Sequence, residues 1–526
     1  MNSKLTLFLL YLLSSIPAYA QSNATEMAVR KLLQSTVMIN QLYVDTVNIN
    51  QQVENAITGM LSKLDPHSTY TNPKETKRMN EPLQGSFEGI GVQFNMLEDT
   101  LVVIQPVSKG PSEKVGILAG DRIVSVNDTA IAGVKMSKED IMARLRGPKD
   151  TKVRLGIVRR GIQGVREFIV KRDKIPVNTL DAAYMIRPGV GLVRFSSFGA
   201  TTHEEVKEAI TRLKNEGMER LILDLQGNGG GYLGAAAELA SEFLPADEMV
   251  VYTKGRGDVT LSSYRSTGGG LFEQGRLVVL VDEYSASAAE ILAGAIQDQD
   301  RGTIVGRRTF GKGLVQRPIE LDDGSMIRLT IARYYTPSGR CIQKPYEKGD
   351  AKSYAHDVID RYNRGELTNA DSIHFPDSLR YKTLREQRTV YGGGGIMPDI
   401  FVPLDTTRYT KLYRELSARS YIINANLHFM DEHRKQLTKQ YKTFESFRVG
   451  FRVPETLIDE VLAEAQKKDS LQARDDEERQ KTRANMHLIL KGLIARDLWD
   501  MNEYFQIIYE EDPVVLRALD LLGLRE

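Results

Sequence analysis

One cysteine, Cys341, stands alone in 526 residues. A single thiol cannot close an intramolecular disulfide, so the fold receives no covalent staple. Charge of one sign is also missing: 70 basic against 69 acidic residues leave a net +1. That balance excludes the basic excess of a nucleic-acid binder. Long hydrophobic runs are missing too, except for "LTLFLLYLLSSIP" near the start, which is too short to span a bilayer comfortably. Preceded by "MNSK" and followed by "AYA", it reads as a cleaved leader over residues 1–20. No charged stop-transfer pattern follows, which argues against a retained anchor, and no cysteine follows for lipid attachment. The expectation is export, to the periplasm or the envelope.

What is present is an ordinary globular composition, 41% hydrophobic and 26% charged, in a chain too long for one core. Residues 21–84 form an N-terminal helical region, with apolar residues three and four apart in "MAVRKLLQSTVMINQLY" and "NQQVENAITGMLSKL". Residues 85–174 change texture to short β-branched runs, "GVQFNM", "TLVVIQPV", "DRIVSVN" and "KVRLGIVRRG", with one helical piece at "SKEDIMARL". Residues 175–404 alternate strands and helices, which predicts an α/β core with largely parallel pairing. Within it, 346–390 is polar and reads as an insertion. Residues 405–526 are charged and helical, ending in an amphipathic stretch.

In such sheets chemistry gathers where strands give way to helices. "DEYSASAAE" (282–290) lies between "RLVVLV" and a helical run, and so offers Ser285 and Ser287. Ser287 with Glu290 three residues on fits a capping box, a helix start stabilised by about 1 kcal/mol. Alternatively Ser287 is a nucleophile, with the Ala288 N–H aimed at a carbonyl oxygen. None of the seven histidines is near in sequence. Lys312 in "RTFGKGLVQ" is either a surface lysine in a glycine turn or, on a short strand after "GTIVG", a base with a pKa lowered by burial from about 10.4. Gln316, four residues on and on the same strand face, would orient the amine through its amide oxygen.

"DEYSASAAEILAGAIQD", "GRRTFGKGLVQ", "IARYYTPSGRCIQ" and "GIMPDI" together resemble the C-terminal processing peptidases, serine proteases with a Ser-Lys dyad. The likeness runs from about residue 60 to 403. It implies Ser287 as nucleophile, Lys312, 25 positions on, as base, and Gln316 as its assistant, with Ser285 a structural turn residue. It implies an oxyanion hole of the Ala288 N–H and one from "GNGGG", assigned to Gly231. It also implies a crotonase- and Clp-protease-like αβ core. Two departures stand out: Gln226 where the family often has Arg, which bears on the Gly231 assignment, and Ala289 where it commonly has Ser.

The β-rich segment resembles an inserted PDZ domain, in which the amides of Ile90, Gly91 and Val92 in "FEGIGVQF" would cradle a peptide C-terminus and the adjoining strand would take the peptide. The expected function is therefore an exported serine endopeptidase acting on protein substrates with free C-termini, with no metal or cofactor. The PDZ-like part would serve as a tether or as a switch. Homo-oligomers through the helical terminal regions are a further expectation, and the sequence names no activating partner. The rival classes are a non-catalytic peptide-binding scaffold and a crotonase-type thioester enzyme.

Overall fold

The computed structural model describes residues 23–523; the leader read at 1–20 lies outside the described residues. The chain divides into two compact units. In the smaller, α1 (Asn23–Leu42) and α2 (Ile49–Leu61) follow the three-and-four periodicity of the sequence. Asn48 starts α2 by accepting the Gln51 N–H at 3.2 Å. A short strand, β1 (Thr69–Thr71), pairs antiparallel with residues 326–328.

The larger unit begins with the β-rich segment. Its entry strand β2 (Ser86–Gly89) pairs with its exit strand β8 (Asp173–Pro176). Between them β3 (Val92–Leu97), β4 (Thr100–Pro106), β5 (Arg122–Val126), β6 (Lys152–Val158) and β7 (Arg166–Lys171) lie in the order β3-β4-β5-β6-β7, so β3 is an edge. Helix α3 (Lys138–Leu145), capped by Ser137, closes the core through Ile141 and Leu145 against Leu101, Ile123 and Leu155.

The α/β core follows: β9 (Leu180–Arg187), β10 (Val190–Phe195), α4 (Thr202–Asn215), β11 (Arg220–Asp224), α5 (Leu233–Ala240), β12 (Met249–Lys254), β13 (Thr260–Arg265), β14 (Arg276–Val281), α6 (Ala288–Asp298), β15 (Thr303–Gly306), β16 (Leu314–Glu320), β17 (Met326–Tyr335), α7 (Ala351–Asn363) and β18 (Ile400–Phe401). Six of these strands make one sheet, β9-β10-β11-β14-β15-β18, parallel except at β9–β10. The run "RLVVLV" is apolar at successive positions because β14 sits inside a sheet covered on both faces. Helices α4, α5 and α6 cover one face, and all 11 residues of α6 are buried.

The C-terminal helices have two jobs. Helices α8 (Tyr421–Gln440) and α9 (Asp476–Leu498) build a core of their own around Phe447, Ile458, Met486 and Leu490. Asp431 on α8 accepts from Arg122 and Arg160 of the β-rich segment, beside an apolar contact of Leu427 with Leu97, Val102 and Ile104. Then α10 (Met501–Ile508) and α11 (Pro513–Leu521) cover the second face of the six-stranded sheet, Val515, Ala518 and Leu519 packing on Leu192, Ile222 and Leu280.

Candidate active site

The turn from β14 into α6 is held by Asp282, whose Oδ1 accepts the N–H groups of Gly227, Tyr284 and Ser285. The Ser285 hydroxyl is wholly buried and donates to the Leu225 carbonyl at 2.7 Å, tying the exit of β14 to that of β11. This hydroxyl is committed to structure. Ser287 differs: its φ of 59° and ψ of −116° place a residue with a Cβ in a sparsely populated region. Such a conformation costs on the order of 1–3 kcal/mol and persists where the surroundings over-determine it. A strained serine between a parallel strand and a helix N-terminus has the geometry of a nucleophile elbow.

The glycine loop reaches this turn. A Cβ on Gly230 would lie 2.7 Å from Ser287 Cβ and 2.9 Å from the Ala288 nitrogen, so only glycine lets the two backbones meet. Gly230 gives its N–H to Asn228 Oδ1 at 2.9 Å, while the Asn228 carbonyl accepts the Ala286 N–H, also at 2.9 Å. Gly231, at φ 152°, runs so close to Phe198 that a Cβ would sit 2.2 Å from its carbonyl oxygen. Ala288 opens α6, where an N–H has no intrahelical acceptor.

Lys312 lies in the loop between β15 and β16, two residues before the strand begins, and not on a strand as the spacing suggested. The N–H groups of Gly311 and Lys312 go to a side chain rather than a ladder, and this loop is fixed from several directions. Arg361 of α7, wholly buried, donates to the Thr309 carbonyl at 3.0 Å. Lys344 N–H donates to the Gly311 carbonyl at 2.9 Å, and Gln343 Oε1 accepts the Gly313 N–H at 2.8 Å. The polar stretch 346–390 thus contributes a buried clamp through Arg361. Gln316, on β16, gives its amide N–H groups to the Leu314 carbonyl and Thr330 Oγ1; the face it was expected to share with Lys312 does not exist, because Lys312 is outside the strand.

Glu290 joins the two segments. Its carboxylate is completely buried, Oε2 accepting the N–H groups of Ser287 and Lys312 and Oε1 that of Gly311 and the Thr309 hydroxyl. Burial pushes its pKa up to about 7 against the opposing pull of these four donors. On the carbonyl side, the Tyr334 hydroxyl donates to Ser287 O at 3.1 Å and to Lys312 O. Each of the two residues is therefore gripped at both its N–H and its C=O.

A second buried carboxylate, Asp224, ends β11. Its Oδ1 accepts the Gln226 N–H at 2.8 Å, at the start of the glycine loop. Its Oδ2 accepts from Arg194, at 2.7 Å, and from the Tyr509 hydroxyl. The guanidinium beside this loop thus comes from Arg194, on the neighbouring strand β10, and it stacks on Phe505 of α10 at 4.6 Å.

In the β-rich segment, Ile90 and Gly91 precede the edge strand that Val92 begins. Ser112 Oγ donates to the Ile90 carbonyl at 2.7 Å and Val107 N–H to the Gly91 carbonyl at 3.0 Å. Between β3 and α3 runs a cleft lined by Phe87, Ile90, Val92, Phe94, Met142 and Leu145, with Arg146 at its rim.

Comparison with known proteins sets these features in a family. Peptidase family S41 matches residues 189–352, and a PDZ domain matches 89–163. The carboxy-terminal processing protease CtpB of Bacillus subtilis is 33% identical over 359 residues, 67% of this chain and 73% of that protein. The chain belongs to peptidase family S41. The carboxyl-terminal-processing protease of Synechocystis is 36% identical, over 60% of this chain and 78% of its own. Among solved structures, the photosystem II D1 C-terminal processing protease is 31% identical, covering 65% of this chain and 91% of its own, with a TM-score of 0.37. The N-terminal domain of activating protease CtpB matches residues 14–76, and a family of unknown function matches 412–500. This S41 chain is a serine-type endopeptidase of the carboxy-terminal processing kind, a mixed α/β protease with a PDZ domain and helical N- and C-terminal regions.

In the sequence of this S41 protease Glu290 reads only as a cap, and no spacing points to Tyr334, Asp224, Arg194 or Tyr509. A signal existed for Glu290, the one charged residue in the apolar run "ASAAEILAGAI". Tyr334 and Tyr509 carried none, since their partners lie 22 to 285 positions away.

Proposed function

We propose that the protein is an exported endopeptidase that cuts polypeptides near their C-termini with a Ser287–Lys312 dyad. The observation carrying this reading is the double grip on both residues, by Glu290 at their N–H groups and by Tyr334 at their carbonyls. A fold that spends two buried polar side chains on the relative placement of one serine and one lysine is specifying a geometry. In the reaction, neutral Lys312 takes the Ser287 hydroxyl proton as Oγ attacks the substrate carbonyl carbon. The oxyanion forms against the N–H groups of Ala288 and Gly231. Lys312 then gives its proton to the leaving amine as the C–N bond breaks; neutral again, it takes a proton from a water whose oxygen attacks the acyl carbon, and returns that proton to Ser287 Oγ as the ester bond breaks and the new C-terminus leaves. Gln316 helps to orient Lys312.

The PDZ domain serves as a tether: the amides of Ile90, Gly91 and Val92 take the terminal carboxylate, and edge strand β3 takes the extended tail. The apolar lining of the cleft suits an apolar last side chain. Residues 1–20 direct export, and no helix among the described residues is long and apolar enough to cross a membrane. Self-association through the helical termini accords with α1, which exposes Met27, Leu32, Leu33, Val37, Met38 and Leu42. The domain limits read from the sequence, 85–174 for the PDZ part and 175–404 for the protease core, belong to the same proposal. The test is incubation of the mature chain with an unstructured polypeptide carrying a free or an amidated C-terminus. Cleavage that Ser287→Ala abolishes and amidation slows supports the reading; cleavage by Ser287→Ala overturns it.

A further inference from the structure

Tyr334 stands on β17, is 1% exposed, and packs its ring in the core shared by α5, α6 and the sheet. Its main chain already holds the Lys312 loop, its N–H donating to the Gly313 carbonyl at 3.0 Å. Its hydroxyl has one proton and two carbonyl acceptors, Ser287 O at 3.1 Å and Lys312 O. Burial and the neighbouring Glu290 hold the phenol well above its ordinary pKa, so it remains a donor wherever the protein is folded.

Each of these carbonyls belongs to a planar peptide whose other end matters. Ser287 C=O shares its plane with Ala288 N–H, the proposed oxyanion donor, so an anchor on the oxygen fixes the direction of the N–H. The Ile291 N–H, at 3.0 Å, anchors the same oxygen as the first bond of α6. Lys312 C=O shares its plane with Gly313 N–H, which Gln343 Oε1 accepts at 2.8 Å. The Lys312–Gly313 peptide is therefore held at one end by Tyr334 and at the other by Gln343.

We propose that Tyr334 is a positioning residue of the protease: by bonding to both carbonyls, its hydroxyl sets the separation of Ser287 from Lys312 and the direction of the Ala288 N–H. The inference rests on the dyad reading above and adds the group that aligns it. Without the Tyr334 hydroxyl, Ile291 still holds the Ser287 carbonyl and Gln343 the Lys312–Gly313 peptide, each from its own side. The hydroxyl is the group that ties the two carbonyls to one another, and it also opposes relaxation of the strained Ser287 backbone.

Tyr334→Phe keeps the ring and loses the donor. Under single-turnover conditions kcat should fall between about 10- and 100-fold, the range that small misalignments of reacting groups produce, with KM within about twofold of wild type. The rising limb of the pH–rate profile should move as well, because the alignment of the group that takes the Ser287 proton has changed. A purely structural tyrosine would lower only the number of active enzymes, which titration with a serine-directed phosphonate counts. Gln343→Leu, at the other end of the same peptide, supplies a second variant: it should lower kcat in the same manner, and its effect should be non-additive with Tyr334→Phe. Wild-type kcat per titrated site and an unmoved pH limb in Tyr334→Phe, with Ser287→Ala inactive, overturn the positioning role and leave the dyad standing. Cleavage by Ser287→Ala removes both.

Discussion

Ser287 and Lys312 donate their backbone N–H groups to one atom, Glu290 Oε2, each at 2.8 Å. Two nitrogens bonded to one oxygen can be no more than twice that distance apart, 5.6 Å, although 25 residues separate them in the chain. The cap of α6 is thereby also the bracket of the proposed dyad. Glu290→Gln places an amide N–H against a ring of donors, since all four partners of the carboxylate donate to it. We expect kcat to fall about 100-fold, with the PDZ domain still binding C-terminal peptides. Near-normal turnover by folded Glu290→Gln would show that the bracket is dispensable.

The same carboxyl predicts a pH signature. Its folded pKa, about 7, lies above the ordinary value of 4.5, so the folded state holds this proton the more tightly. Stability from this site is therefore fully present below about pH 4.5, declines as pH rises towards 7, and is flat above; a shift of this size amounts to roughly 3 kcal/mol. Activity runs the other way, because only the ionised form accepts all four bonds, so the rate should climb through the same window. The stability difference between wild type and Glu290→Gln, measured by denaturant unfolding at pH 4.5 and 7.5, should change by that amount. A difference independent of pH would place the Glu290 pKa elsewhere.

The two serines of the turn separate cleanly. Ser287→Ala should abolish cleavage and leave the fold, since alanine keeps the Cβ and with it the strained backbone; Lys312→Arg should be inactive because guanidinium keeps its proton. Ser285→Ala should instead leave the Leu225 carbonyl with the Asn228 N–H alone and take from the buried Asp282 N–H its hydroxyl acceptor, costing about 1–3 kcal/mol of stability while the chemistry persists. Melting temperatures and single-turnover rates on the three variants decide it: an inactive but fully stable Ser285→Ala would reassign the nucleophile.

The architecture was legible where physics acts locally. Three-and-four spacing pointed to the helices within 23–61, β-branched runs to the β-rich segment and strand–helix alternation to the α/β core, while "RLVVLV" read as a strand whose burial on both faces the structure supplied. Spacing left Ser287 open between cap and nucleophile and Lys312 between surface lysine and base, and the family resemblance chose between them. Spacing misplaced Lys312 on a strand because flanking glycines read as turn punctuation without saying which N–H groups a distant carboxylate would capture. Tyr334, Arg361 and Tyr509 were illegible because each acts across the fold, and a buried polar residue looks in sequence like any exposed one. The split of the C-terminal helices, one set with its own core and one set on the protease sheet, likewise depends on partners far along the chain.

That second set carries the last prediction. Tyr509 donates to Asp224, which takes the Gln226 N–H at the root of the glycine loop, so the end of the chain reaches the proposed oxyanion site through one buried carboxylate. Tyr509→Phe removes one donor and leaves Arg194 in place; the cost should be about 1–3 kcal/mol. Arg194→Met strips the charge partner from a carboxylate with no exposure at all, and should cost about 3–5 kcal/mol. Both should lower kcat more than they raise KM if, as proposed, the glycine loop serves the transition state rather than the ground state. Trp499, the only tryptophan, sits among Phe444 and Phe447 in the separate helical core and reports whether that core stays folded. Unchanged Trp499 fluorescence with reduced kcat in Tyr509→Phe is the expected pairing. Unchanged kcat and unchanged stability together would mean that Asp224 holds the glycine loop without help from the C-terminal helices.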